Sequence, residues 1–124
     1  MEEYKYKAHR LAEFSDWLDQ LTPDDKALVL DRIEKMRRGT FGDSEPVGSG
    51  ISEARIHEGP GLRIYYLVHG KTIILLMHGG TKRTQQKDIE KAHDVLKRMQ
   101  ERQKLLLEQE AAKKAKEKQN GKPH

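Results

Sequence analysis

Residues 59–92 read GPGLRIYYLVHGKTIILLMHGGTKRTQQKDIEKA, and the fold turns on how this stretch is divided. Two apolar runs, 62–69 and 72–78, flank Gly70-Lys71. A two-residue loop with glycine first suits a type II′ turn, so the segment predicts a β-hairpin. That loop pairs His69 with Thr72, Leu67 with Ile74, Tyr65 with Leu76 and Arg63 with His78. The other face then carries Leu62, Ile64, Tyr66 and Val68 against Ile73, Leu75 and Met77, an apolar set that reads as core. Upstream, residues 52–58 predict a further strand, reached through a three-residue turn at Gly59-Pro60-Gly61. In that register Ile56 pairs with Ile64 on the core face, while Arg55 meets Tyr65 and His57 meets Arg63 on the opposite one. A slip of one residue would drive Arg55 and His57 into the core, which favours this register.

Outward from the hairpin, the N-terminal YKYKAHR (4–10) alternates aromatic and basic residues and predicts an edge strand. Leu11, Phe14, Leu18 and Leu21, with Trp17 beside them, recur at helical spacing. Thr22-Pro23-Asp24-Asp25 supplies an N-cap hydroxyl, a proline at the first helical position and acids in the first turn. A second helix is expected from there to Gly39, burying Ala27, Leu30, Ile33 and a flank of Val29 and Met36, with cations from Lys35 to Arg38 in its last turn. The two form a helical hairpin joined by a short turn. GTFGDSEPVGSG (39–50) is glycine, serine and proline punctuation and predicts a loop. Gly79-Gly80 predicts a turn that brings the backbone close to a ligand or another strand; it lacks the third glycine and the lysine spacing of nucleotide loops.

Thr84 is placed to cap a third helix, in which Ile89, Ala92, Leu96, Met99 and Leu106 follow three-four spacing. Unbroken to Lys118 it would be roughly 50 Å long at ~1.5 Å per residue. The part beyond about Arg102 therefore projects into solvent or frays, and Leu105–Leu107 is the end of its apolar face or a small partner patch. These elements define an α+β class, a small antiparallel-rich sheet with an N-terminal helical hairpin on one face, order β-α-α-β-β-β-α, and a long C-terminal helix. The division expected is a domain over 1–100 and a charged helical extension, frayed at its end, over 101–124.

Composition sets the bounds. The 124 residues are 35% hydrophobic and 35% charged, so the core is small. No run of 18 apolar residues occurs, the MEEYKYKAHR start lacks a signal-peptide core, and there is no cysteine. Disulfides and thiolate metal sites are excluded, and a cytoplasmic protein with no membrane partner is expected. Charge is uneven: residues 1–53 hold 8 Lys/Arg against 12 Asp/Glu, residues 54–100 hold 9 against 4, and residues 101–124 hold 7 against 4. A one-sided positive field suits a phosphate-bearing partner, although a solvated basic tail needs no partner at all.

The register collects Arg55, His57, Arg63, Tyr65 and His78 on one sheet face, with Lys82 and Arg83 just past the strand end. Histidine or tyrosine can move a proton, and arginine stabilises charge growing on phosphorus, so these are the parts of metal-free phosphodiester chemistry. Tyr65 could alternatively stack on an unpaired base. The plainer alternative is a covered face, since Leu67, Ile74 and Leu76 share it, with Arg63 and His78 as ordinary decoration. No Asp or Glu falls into this cluster, which argues against a metal at His57 and His78. His9, His69, His93 and His124 stand alone as surface residues.

The segments FSDWLDQL (14–21), RIEKMRRGTFGDSEPVGSGISEARIHEGPGLRIYY (32–66) and ILLMHGGTKRTQQKDIEKA (74–92) resemble the RelE/ParE superfamily of type II toxin–antitoxin toxins. Within it, they are similar to the addiction-module killer proteins near the HigB branch. The resemblance implies a growth-arresting toxin neutralised by a cognate antitoxin, usually a helix-turn-helix protein, with operator DNA reached only through their complex. It further implies a ribosome-dependent mRNA endoribonuclease in which the 2′-hydroxyl attacks the adjacent phosphate, with no metal or other cofactor. On this reading Arg63, His78, Arg55 and Tyr65 are the catalytic candidates, and His57, Lys82 and Arg83 bind RNA. Arg55, Arg63, His78, Lys82 and Arg83 fall at matching strand positions; the family's Tyr or His near the end of the domain has no match. The alternatives are a ParE-like, non-catalytic inhibitor of DNA gyrase and a non-toxic interaction module.

Overall fold

In the computed structural model, which describes residues 3–120, the chain runs β1 (Lys7–Arg10), α1 (Ala12–Asp19), α2 (Pro23–Arg37), β2 (Ser44–Gly48), β3 (Ile51–Arg55), β4 (Leu62–His69), β5 (Ile73–Thr81), a 3-10 turn (Lys82–Thr84) and α3 (Gln85–Asn120). Two compact units are present, one ending at His93 and the other beginning at Asp94. The first is α+β: a five-stranded mixed sheet in the order β1-β5-β4-β3-β2, with β1 parallel to β5 and every other neighbour antiparallel.

Helix α2 starts as its sequence dictates. The Thr22 side chain accepts the Asp25 N–H at 3.2 Å, Pro23 occupies the first turn, and Asp24 and Asp25 sit at the positive end of the helix dipole. Its buried stripe is Val29, Ile33 and Met36, whereas Ala27 is exposed and Leu30 half-buried. The stripe is rotated from the one expected: spacing of four and three defines one face, and Ala27, about 200° from Val29 at ~3.6 residues per turn, lies across the helix. Phe14 and Leu18 of α1 join these residues in a single core against Ala54, Ile56, Leu62, Ile64, Tyr66, Ile74 and Leu76.

Two corrections concern the strands. The loop expected over 39–50 contains β2, whose Glu45 and Pro46 lie opposite Glu53 and Ser52. Its composition reads as a turn because a strand containing proline survives only at a sheet edge, where no neighbour needs the missing N–H. The central hairpin also closes differently. Its loop spans three residues, 70–72, so His69 pairs with Ile73, Leu67 with Leu75 and Tyr66 with Leu76. Ile74 and Leu76, not Ile73 and Leu75, therefore enter the core. A bulge at Met77 then shifts the pairing, placing Tyr65 opposite His78 and Arg63 opposite Gly80.

Gly79 and Gly80 belong to β5 rather than to a turn. A Cβ on Gly79 would lie 2.2 Å from the Trp17 ring, so the indole of α1 rests directly on the β5 backbone. The same helix is tied to β5 by the Leu11 N–H, which reaches Leu76 O at 3.0 Å.

The long C-terminal helix expected from the sequence runs to Asn120; residues 121–124 lie outside the described part. Every side chain from Gln100 to Lys118 is exposed, Leu105, Leu106 and Leu107 included. None of the described helices is long and apolar enough to cross a membrane.

Two outcomes follow from this packing. Gly79→Ala forces Trp17 off the strand and should destabilise by about 1–3 kcal/mol, the usual cost of overpacking, read as a lowered urea midpoint. Trp17→Leu in the same chain should recover part of that loss. A chain ending at Leu107, which forfeits no buried side chain among the described residues, should melt at nearly the full-length temperature in a circular dichroism scan.

Candidate functional site

A carboxylate organises the sheet face opposite the core. Antiparallel pairing of β3 and β4 sets Glu53 across from Tyr65 and Arg55 across from Arg63. The Glu53 side chain is fully buried. Its Oε1 accepts from Arg55 Nε at 3.0 Å, Arg63 Nη1 at 3.0 Å and Gln85 Nε2 at 3.1 Å. Its Oε2 accepts from the Tyr65 hydroxyl at 3.0 Å and from Gln85 Nε2 at 2.9 Å. Burial alone would raise its pKa; the hydrogen bonds of Gln85, Arg55 and Tyr65 and the charge of Arg63 outweigh that and hold it below the usual carboxylate value. Arg55 also donates to Glu45 at 2.6 Å, so its guanidinium bridges two acids.

Tyr65 is locked in the same network. Burial first, then the Glu53 charge and hydrogen bond, push its phenol far above the ordinary value, so it stays a protonated donor at neutral pH. Its ring is fully buried and lies nearly parallel to the His78 ring, centroids 6.4 Å apart. The alternative of stacking on an unpaired base is thereby closed in this conformation.

His78 owes its position to the Met77 bulge. Its Nε2 is 2.9 Å from Asp88 Oδ1, and the other Asp88 oxygen accepts from the Thr84 hydroxyl. Thr84 in turn accepts the Thr81 N–H at 3.2 Å, which joins the end of β5 to the start of α3. Asp88 fits only because residue 80 is glycine: a Cβ there would stand 1.7 Å from its Oδ2. With Nε2 engaged by Asp88, the remaining ring nitrogen, Nδ1, is buried and makes no hydrogen bond.

The other candidates sit at one end of the sheet. Arg55 closes β3, Arg63 is the second residue of β4, and Lys82 and Arg83 follow β5. The Lys82 N–H donates to Gly61 O at 2.9 Å, stitching the exit of β5 to the turn between β3 and β4. Lys82 and Arg83 are exposed, whereas the Arg55 and Arg63 side chains keep 25% and 11% of their surface in solvent. His57 does not meet Arg63. It is 73% exposed and bonds Asp43 at 2.7 Å, and that bond is the main cause of the lowered Asp43 pKa.

A sequence family described as phage-derived protein Gp49-like (DUF891) matches residues 16–100, a span that contains this entire network. The chain belongs to the Gp49-like family. That family falls within the RelE/Gp49 toxin-like proteins. The chain is also 41% identical over 80 residues to an uncharacterised protein of Haemophilus influenzae strain Rd, an alignment covering 64% of this chain and 81% of that protein.

In this Gp49-like protein Arg55, Arg63, Tyr65 and His78 do converge, but under the first turns of α3 rather than on an open face. Leu76 and Ile74, expected beside them, lie on the core face instead. The expectation that no acid enters the cluster is overturned by Glu53 and Asp88. Glu53 was discoverable, because it shares the alternation of Arg55 and sits two residues before it. Gln85 and Asp88, three apart at the start of a helix, share one helical face, but which face meets the sheet depends on the bulge.

Glu53 titrates from an ordinary value of 4.5 to a lower one in the folded chain. Its stabilising contribution is therefore complete above pH 4.5 and is lost as pH falls through the folded value. Glu53→Gln removes the negative charge shared by two guanidinium groups and replaces one accepting oxygen by a donor, and should cost about 3–5 kcal/mol at pH 7. Urea titrations between pH 3 and pH 7 should show this loss together with a flatter acid limb.

Proposed function

We propose that this Gp49-like protein is a HigB-like toxin of a type II toxin–antitoxin module, a metal-independent endoribonuclease that cuts mRNA on the ribosome and is neutralised by a cognate antitoxin. The observation that carries this reading is the pair Arg55 and Arg63, anchored on a buried carboxylate at the same sheet end as the exposed Lys82 and Arg83. Guanidinium groups fixed before substrate arrives stabilise the charge that develops on phosphorus without a reorganisation cost. Lys82 and Arg83, free of that network, hold the RNA backbone.

The proton step falls to His78, whose Nε2 is committed to Asp88 and whose Nδ1 has no partner. Nδ1 takes the 2′-hydroxyl proton, the 2′-oxygen bonds to phosphorus, and the bond to the 5′-oxygen breaks as that oxygen takes a proton from a water molecule, to whose hydroxide Nδ1 then returns its own. The products are a 2′,3′-cyclic phosphate and a 5′-hydroxyl. Because Nδ1 is enclosed, the first turn of α3 shifts when RNA and ribosome engage.

The second reading is a ParE-like binder of DNA gyrase with no catalysis. It is favoured by two observations: Tyr65 is fully buried, and Glu53 neutralises the arginines. Expression should arrest growth, and primer extension on translated mRNA should reveal cuts; intact mRNA with inhibited supercoiling selects the gyrase reading. Lys82→Ala with Arg83→Ala should leave the melting temperature unchanged and weaken RNA binding. The slope of log affinity against log salt should fall by about 1.4, two contacts at ~0.7 each for single strands.

A further inference from the structure

We propose that the free edge of β1 docks an extended, acidic segment of a partner protein, which adds to the sheet as a sixth strand. The sheet has two edges, and they are not alike. The β2 edge carries Pro46, which has no N–H, and its register slips between Pro46 and Gly48. Both features defeat strand addition. The β1 edge is regular: Lys7, Ala8, His9 and Arg10 pair in unbroken parallel register with β5. The Lys7 N–H reaches Thr72 O at 2.8 Å and the Leu11 N–H reaches Leu76 O at 3.0 Å, so the odd-numbered residues face β5. Strand geometry then turns the N–H and C=O of Ala8 and Arg10 outward.

Beside that edge lies a cleft of about 470 Å³, lined by Lys7, Ala8, His9 and Arg10 of β1 and by Ile33, Glu34 and Arg37 of α2. Ile33 is buried and Ala8 half-buried, which gives an apolar floor, while Lys7, His9 and Arg10 are exposed. The cleft's acid is spent: Glu34 accepts from the Tyr4 hydroxyl at 2.6 Å and pairs with Arg37 at 3.0 Å and Arg38 at 3.8 Å.

These features select the occupant. A second copy of this chain would set Lys7 and Arg10 against the same cations, and like charges across an edge oppose pairing. RNA would satisfy the cations but not the outward carbonyls of Ala8 and Arg10, acceptors that repel phosphate oxygens. An extended peptide offers alternating donors and acceptors to the backbone, and its acidic side chains answer the rim. Main-chain bonds supply the affinity and the charges supply the choice of partner.

The test uses the full-length chain and a fluorescent, end-blocked octapeptide of alternating glutamate and valine, followed by anisotropy. Saturable binding that weakens as salt rises is expected. The double variant Lys7→Glu with Arg10→Glu, both exposed, should lose about tenfold in affinity, two surface ion pairs having turned repulsive. The same peptide N-methylated at every second residue, on the edge that would meet β1, should fail to bind. Absence of saturable binding overturns the proposal, as does equal binding by the methylated peptide or by an alternating lysine and valine peptide. Displacement by a short oligouridylate with no effect of N-methylation would assign the cleft to RNA and also overturn it.

Discussion

The cost of burying the Glu53 charge is the constraint on which the candidate site of this molecule depends. A carboxylate removed from water is tolerated only when donors surround it. Here those donors come from three elements: Arg55 on its own strand, Arg63 and Tyr65 on β4, and Gln85 at the start of α3. The network thus does two things at once. It fixes the guanidinium groups in place, and it ties the first turn of α3 to the sheet. A charged hub therefore fixes the polar side chains of this face, beside the buried Ile51 that shares the alternation of Glu53.

Close backbone approach is the second constraint, and consecutive glycines meet it on opposite faces. Gly79 lets the Trp17 ring rest on β5 from the α1 side, and Gly80 admits the Asp88 carboxylate from the α3 side. Because side chains alternate across a strand, two adjacent glycines thin the sheet at one point from both directions. The His78–Asp88 pair exists only because of that thinning and of the Met77 bulge before it.

Charge is distributed to match these roles. Arg55, Arg63, Lys82 and Arg83 gather at one sheet end, while Lys7, His9 and Arg10 line the β1 edge. The first group is divided between arginines neutralised by Glu53 and Glu45 and cations left in water.

The amino-acid sequence by itself determined whatever rests on near neighbours. The cap and proline that start α2 were legible, as was the alternation that sends Leu62, Ile64 and Tyr66 inward, because capping and strand periodicity act over a few residues. The α+β class and the long C-terminal helix followed from the same local signals. Tertiary structure alone decided the rest. Strand β2 forms only because β3 offers a partner to a segment whose glycines and proline prefer turns. The three-residue loop and the bulge changed which residues face each other, since a shift of one position in a strand moves a side chain to the other face. Above all, sequence spacing brought Arg63, Tyr65 and His78 together but left out Glu53, Gln85 and Asp88. Those three complete the site from distant segments, Glu53 and Gln85 bonding across 32 residues of sequence, and a buried charge finds its donors only when the chain has folded around it.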